Sequence, residues 1–333
     1  MQLSRQLTWT SHRVKVGSIA FVGVFLLFFL HVSWQRASRP SPSSPQLHSS
    51  SGGKEYTGDY ITGEGSVLHG VPPEYDESRK PTRPALIAAA QATEDVAWME
   101  SLASSYDLYP YNVDDRNTPS RLAIPANTGH EAMVYLTFII NNYEFLPPHA
   151  VFVHGHRDSW HQEADIVHLL KALRIQALQE VGYVPLRCDW YPSCPAEINP
   201  ITKDGVVWGP GVHRQDAEDA IAEVWETFFP GVDIPHTIAS QCCAQFAVTR
   251  EAILRRPKEQ YIIMREWLLN TDLHDDISGR VLEKLWAYIM TNDAVHCPSP
   301  QSCACNYFGH CEDHKWPKPP KALGELPADS NII

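Results

Sequence analysis

Residues 16–34 read VGSIAFVGVFLLFFLHVSW, nineteen positions in a row without a charged side chain. A run of this length crosses the hydrocarbon core of a bilayer as one helix, and a helix satisfies its own backbone hydrogen bonds in lipid. The run is apolar on every face and borders a Ser-, Pro- and Gly-rich segment, which argues against a core helix. Arg5, Arg13 and Lys15 precede it, and Arg36 and Arg39 follow it. This slight excess favours a cytoplasmic N-terminus. The run is longer than the apolar stretch of a cleaved signal peptide, and no convincing small-x-small cleavage site follows Trp34. The expectation is an uncleaved signal anchor: a single-pass type II membrane protein whose domain faces the Golgi or ER lumen.

The anchor divides the chain. Residues 1–15 are a cytoplasmic tail, 16–34 the transmembrane segment, and 35–83 a Ser-, Pro- and Gly-rich stem expected to be disordered. Residues 84–312 are a lumenal domain with a Cys-rich end, and 313–333 a C-terminal tail. The net charge of −12 argues against a nucleic-acid partner. Eight cysteines, an even number in an oxidising compartment, predict disulfides. Four of them crowd CPSPQSCACNYFGHC, where a zinc knuckle is the rival reading. Cys188 and Cys194 are near enough in sequence to close a short loop.

Within 84–312 the apolar periodicity alternates. Strands are predicted at 85–90, 106–113, 150–154 and 244–248. Helices are predicted at 94–101, 129–142, 163–181, 216–229, 250–269 and 279–290. Strand–helix alternation of this kind predicts an α/β fold: a mainly parallel sheet with helices on both faces. Ligands of such sheets bind beyond the carboxyl ends of the strands. The loops after Ala90, Val113 and His154 should therefore share one cleft.

Five segments carry candidate chemistry. Asn127, Thr128 and Gly129 stand directly before a helix with Glu131 in its first turn, which makes either an anion site or a plain cap. In VFVHGHRDSWH, His154 and His156 are two apart on a strand end and should point the same way. With His161 they form either a metal site for Zn2+ or Mn2+, a set of proton carriers, or a hydrogen-bonded loop. Arg187 and Asp189 flank Cys188 ahead of Trp190 and Tyr191, as a sugar subsite or as loop filler. Gln245 lies in an apolar strand and must be hydrogen-bonded if buried. Glu283 and Trp286 share a helix face, and Glu283 is either a base or the partner of Arg280. Arg255-Arg256-Pro257 reads as the solvated face of a helix. No Gly-x-Ser-x-Gly, P-loop, Gly-x-Gly-x-x-Gly or HExxH is present, which removes the usual support for hydrolase, NTPase, dehydrogenase and zinc-protease readings.

Taken together, residues 95–98, 127–132, 152–161, 182–188, 242–250, 278–286 and 303–311 resemble a mostly fungal family named only as a domain of unknown function. The family pattern has Arg, Ser and Tyr where this chain has His130, Thr249 and Phe308. That family is in turn distantly similar to GT-A glycosyltransferases. The similarity implies a GT-A-like, Rossmann-like fold and transfer of a sugar from a nucleotide sugar to a glycan, a protein or a small secondary metabolite. Donor-binding residues would be Asn127, Gly129, Glu131, His154, His156, Arg187 and Gln245, and the base Asp189 or Glu283. GT-A enzymes hold a divalent ion on Asp-x-Asp, and His154-Gly155-His156 stands at that place here. A non-catalytic lumenal carbohydrate-binding or scaffold protein is the alternative, and a His-dependent zinc enzyme using His154, His156 and His161 a further one.

Overall fold

A computed structural model describes residues 58–61, 67–70, 81–115, 119–205, 208–209 and 213–319. The cytoplasmic tail and the anchor expected at 16–34 lie outside these residues. Among the described residues no helix is long and apolar enough to cross a membrane. Inside the stretch read as stem, β1 (Gly58–Ile61) and β2 (Val67–Gly70) pair antiparallel.

The domain proper starts with β3 (Ala85–Ala90), a 3-10 turn (Ala97–Leu102) and β4 (Asp107–Asn112). Then follow α1 (Glu131–Asn142), β5 (His149–His154), α2 (Ile166–Ala172), α3 (Ile175–Val181), β6 (Tyr183–Pro185) and α4 (Arg214–Phe228). After them come β7 (Ala239–Ser240), β8 (Phe246–Thr249), α5 (Arg250–Ile253) and α6 (Lys258–Asn270). The last are α7 (Asp275–Thr291), β9 (Val295–His296) and α8 (Pro300–Phe308).

The main sheet has five strands in the order β4-β3-β5-β8-β6. β3 is parallel to both β4 and β5, while β8 runs antiparallel to its neighbours β5 and β6. The fold is mixed α/β with a mostly parallel sheet, as the alternation predicts. Side-chain alternation splits the core in two. Ala85, Ile87, Ala150 and Phe152 face one apolar cluster, with α1, α4, α6 and α7. Leu86, Ala88, Val151 and Val153 face the other, with α2, α8 and the 3-10 turn. The strands are apolar on both faces because both faces are covered. On the first face Tyr135 of α1 packs against Phe152 (4.8 Å), Phe246 (5.9 Å) and Trp286 (5.8 Å).

Several helices end where tertiary contacts dictate. Residues 163–181 are two helices, not one. Asp165 caps α2 by accepting from the N–H groups of Val167 and His168, so the helix starts after Glu163. The break at Arg174 is held by its N–H donating to Tyr307 O at 2.8 Å. Residues 250–269 also divide, at Pro257, which has no N–H and bars its predecessor from helical angles.

Arg256 corrects the solvated-face reading. It is buried, and its guanidinium donates to Ile289 O (2.6 Å), Tyr288 O (3.0 Å) and Asn292 Oδ1 (2.7 Å). It thereby caps the carboxyl end of α7, while lying over the rings of Phe229 and Tyr288. Burial lowers its pKa, and the last-turn carbonyls offset that cost with hydrogen bonds.

The Cys-rich end forms disulfides. Cys188 pairs with Cys303 and Cys194 with Cys297, so the short Cys188–Cys194 loop does not form. Both crosslinks tie the segment after β6 to the C-terminal segment, and Trp190 Nε1 donates to Pro298 O at 2.7 Å between them. Cys305 pairs with Cys311, and Cys242 with its neighbour Cys243. Trp316, in the stretch read as tail, donates to Gln301 and packs on the second core cluster.

Replacing Arg256 by Met keeps the volume but strands the α7 carbonyls. The expected loss is roughly 2–4 kcal/mol of unfolding free energy, read from urea denaturation with the disulfides intact.

Candidate metal centre and pocket

β3, β4 and β5 are parallel, so their carboxyl ends lie along one edge. The loop after β5 crosses that edge closely. A Cβ on Gly155 would come within 2.7 Å of Ala90 Cα, so only glycine fits there. Trp98 Nε1 donates to Gly155 O at 2.8 Å and fixes the crossing. Glu94, in the loop after β3, then reaches His156 Nδ1 at 3.1 Å. On the far side of the loop, Ser159 Oγ meets His161 Nδ1 at 2.9 Å.

These contacts bring three imidazoles together. His154 Nδ1 and His161 Nε2 are 3.2 Å apart, as are His156 Nε2 and His161 Nε2. Each pair of ring centroids is 5.1 Å apart. Nitrogens bound to a tetrahedral ion at about 2.0–2.1 Å lie about 3.3–3.4 Å from one another, so the spacing suits one shared cation. The donor chemistry fits as well. Burial, then the neighbouring imidazoles, push His154 down to about 3, and burial, then His156 and Arg187, push His161 down to about 4. Both rings are neutral at physiological pH, the form that ligates. The outward nitrogens of His156 and His161 meet Glu94 and Ser159, the orienting contacts that metal-bound imidazoles use.

The cluster opens on a cavity of about 300 Å3 lined by Glu131, His154, His161, Arg280, Glu283 and Lys284. Glu283 accepts from the Cys243 N–H (3.2 Å) and from Lys284 Nζ (2.9 Å). Lys284 also pairs with Glu197 at 3.0 Å. Burial raises the Glu283 pKa, but the charges of Lys284 and Arg280 and the two hydrogen bonds outweigh it and bring the group to about 2. Glu131 goes the other way. Burial and then the Glu283 charge raise it to about 8, against weaker help from its own backbone N–H, Arg280 and Lys284. One pocket thus holds an ionised and a protonated carboxyl group side by side, the separation on which acid–base division of labour rests.

The other expected site residues have structural partners. Asn127 donates to Asp114 Oδ1 at 3.0 Å, in the loop after β4, and is not in the pocket lining. The Gly129 N–H and the Thr128 hydroxyl both go to Asp275 Oδ1, so a carboxylate of α7 takes the donors offered to an anion. Gly129 itself adopts a φ of +67°. Arg187 donates to His161 O at 2.7 Å and pairs with Asp189 at 3.5 Å, holding the histidine loop from below. Asp189 also accepts from the Tyr191 N–H and is likewise absent from the lining. Gln245 is buried and accepts from the His154 N–H and Gln162 Nε2, both at 3.3 Å. Glu94, Lys284, Trp160 and Cys242–Cys243 are not picked out by sequence patterns as site groups, although Trp160 lies in the histidine segment and Arg280 reads as a partner of Glu283.

Two outcomes follow from this geometry. Glu94→Gln should weaken Zn2+ binding roughly 10–100-fold in a chelator competition, with folding unchanged by circular dichroism. For the metal-free protein, the unfolded chain takes up protons on its histidines below about pH 6.5 that the folded His154 and His161 refuse. Stability should therefore be full above that pH and be lost as the pH falls towards 4, measured as the thermal midpoint across a pH series.

No curated protein and no solved structure matches this chain. A family model described as "Protein of unknown function (DUF3431)" matches residues 86–306. That span runs from β3 into α8 and takes in the three histidines, Glu131, Glu283 and the other four strands of the main sheet. The chain therefore belongs to the DUF3431 family.

Proposed function

We propose that this chain is a divalent-metal-dependent glycosyltransferase, anchored by residues 16–34 with its domain in the Golgi or ER lumen. The single observation that carries the reading is the three-imidazole cluster at the carboxyl edge of a mostly parallel sheet, opening on a pocket where Glu131 and Glu283 have opposite protonation. His154, His156 and His161 would hold Zn2+ or Mn2+. When bound, the cation supplies positive charge to the diphosphate leaving group of a nucleotide sugar.

The protein groups divide the remaining work. Glu283 stays ionised and faces the positive charge that develops on the donor sugar. A bound cation would lower the Glu131 pKa, and the Glu131 carboxylate would then accept the proton of the acceptor hydroxyl as the new glycosidic bond forms and the sugar–phosphate bond breaks, a role for which Asp189 is badly placed. Lys284 keeps Glu283 in position through their 2.9 Å contact. Glycosyl transfer is mostly orientation plus charge stabilisation, so this set suffices.

A second reading, metal-activated hydrolysis, is favoured by one feature: the donor set is three imidazoles with no carboxylate. That set suits a zinc ion with an open position for water. A carbohydrate-binding protein without turnover is the outcome if neither chemistry is found.

The test is calorimetry of the full chain with a panel of uridine and guanosine diphosphate sugars, with and without Mn2+ or Zn2+. Binding of at least one donor that requires metal and is abolished in His156→Ala is expected. Glu131→Gln should bind the donor normally but transfer the sugar roughly 100-fold or more slowly. Donor binding indifferent to metal would end the transfer reading.

A further inference from the structure

Three of the disulfides join positions 115, 103 and 6 residues apart and close chain loops. Cys242–Cys243 joins adjacent residues, so it staples nothing and removes next to no entropy from the unfolded chain. What it supplies is local. It lines the pocket beside Glu283, and its sulfurs are polarisable and apolar. Cys243 and Ala244 hold φ values of 84° and 49°, a region that residues with a Cβ rarely adopt and that clusters at functional sites. The result is a rigid apolar wall in a pocket otherwise rich in charge.

Trp160 is the second observation. It is 72% exposed although it sits next to His161 in the chain and lines the same pocket. Its ring makes a T-shaped contact with the His161 imidazole at 5.3 Å and 89°, and most of its surface stays open to solvent. Trp208 lines the same space. An aromatic side chain so exposed costs solvation unless a ligand covers it.

The remaining lining narrows the chemistry. Glu131, Arg214, Arg280 and Glu283 share the cavity with these apolar faces. A lipid chain would strip water from the charged groups and give nothing back. A free phosphate would leave the tryptophans and sulfurs unused. A ring with one C–H face and an edge of hydroxyls matches both walls at once.

We propose that Trp160, Trp208 and the Cys242–Cys243 disulfide form a subsite for one pyranose ring of the acceptor, its apolar face on these groups and its hydroxyls towards the carboxyl and guanidinium groups. Its assignment to the acceptor rests on the glycosyl-transfer reading above, whereas the binding of a pyranose does not. The probes are methyl α-D-mannopyranoside, methyl β-D-glucopyranoside and methyl β-D-galactopyranoside. They are titrated into the Zn2+-loaded full chain, in a detergent without a sugar headgroup, and followed by saturation-transfer NMR. No nucleotide sugar is present, so failure of donor binding and failure of this subsite are read separately.

At least one glycoside should bind. Trp160→Ala should weaken it at least 10-fold and Trp160→Phe by no more than about 3-fold, with zinc content per chain, measured on the same samples, unchanged. The subsite is overturned if no probe binds the loaded protein, or if Trp160→Ala binds as the parent does. It is equally overturned if the Phe and Ala variants lose binding alike. Phosphatidylcholine vesicles that bind the parent but not Trp160→Ala, with no glycoside bound, would make the exposed ring a membrane contact instead.

Discussion

The candidate site depends on how closely β5 and its following loop approach β3. The two strands are paired in parallel register from Ala85 opposite Ala150 to Ala89 opposite His154. Gly155 then passes over Ala90 at a distance no side chain would permit. That crossing sets His154 at the strand end, turns His156 towards Glu94, and starts the loop that returns His161. Widening it by one methyl group would separate the carboxylate that orients one imidazole from the strand that carries another.

Around this crossing, charge is compensated in an uneven way. Lys284, itself buried, is shared between Glu283 and Glu197, which keeps Glu283 ionised in a place where burial alone would neutralise it. Glu131 receives no such partner at contact distance and stays protonated. The His154 and His161 imidazoles are neutral for the same reason, since burial and the neighbouring imidazoles both disfavour their charged forms. A divalent ion placed among them would bring the positive charge that the cluster lacks, and would lower the Glu131 pKa in turn.

Much of the fold was legible because hydrophobic period reports local geometry. Ala85–Ala90 was found at its boundaries, and α1 and β5 within two residues. The breaks at Arg174 and the burial of Arg256 were not, because both follow from partners far along the chain: Tyr307 in one case, the end of α7 in the other. The same holds for the site. The spacing of His154 and His156 on a strand end foretold their convergence, and His161 was close enough in sequence to join them. The use of Asp275 to fill the donors at Thr128 and Gly129 was invisible, for it lies 146 residues from Gly129.

By itself the sequence determined the α/β class, the acidic balance of the chain and its even count of cysteines, and the presence of three imidazoles at and just after one strand end. Those properties are set by composition and by the repeat of two or 3.6 residues, which act between near neighbours. Tertiary structure alone decided which cysteines pair, which carboxyl group keeps its proton, and that Glu94 orients His156 while Asn127 binds Asp114. Each of these depends on burial and on distances between groups brought together by strand order, and electrostatic energy in a low-dielectric interior varies steeply with both.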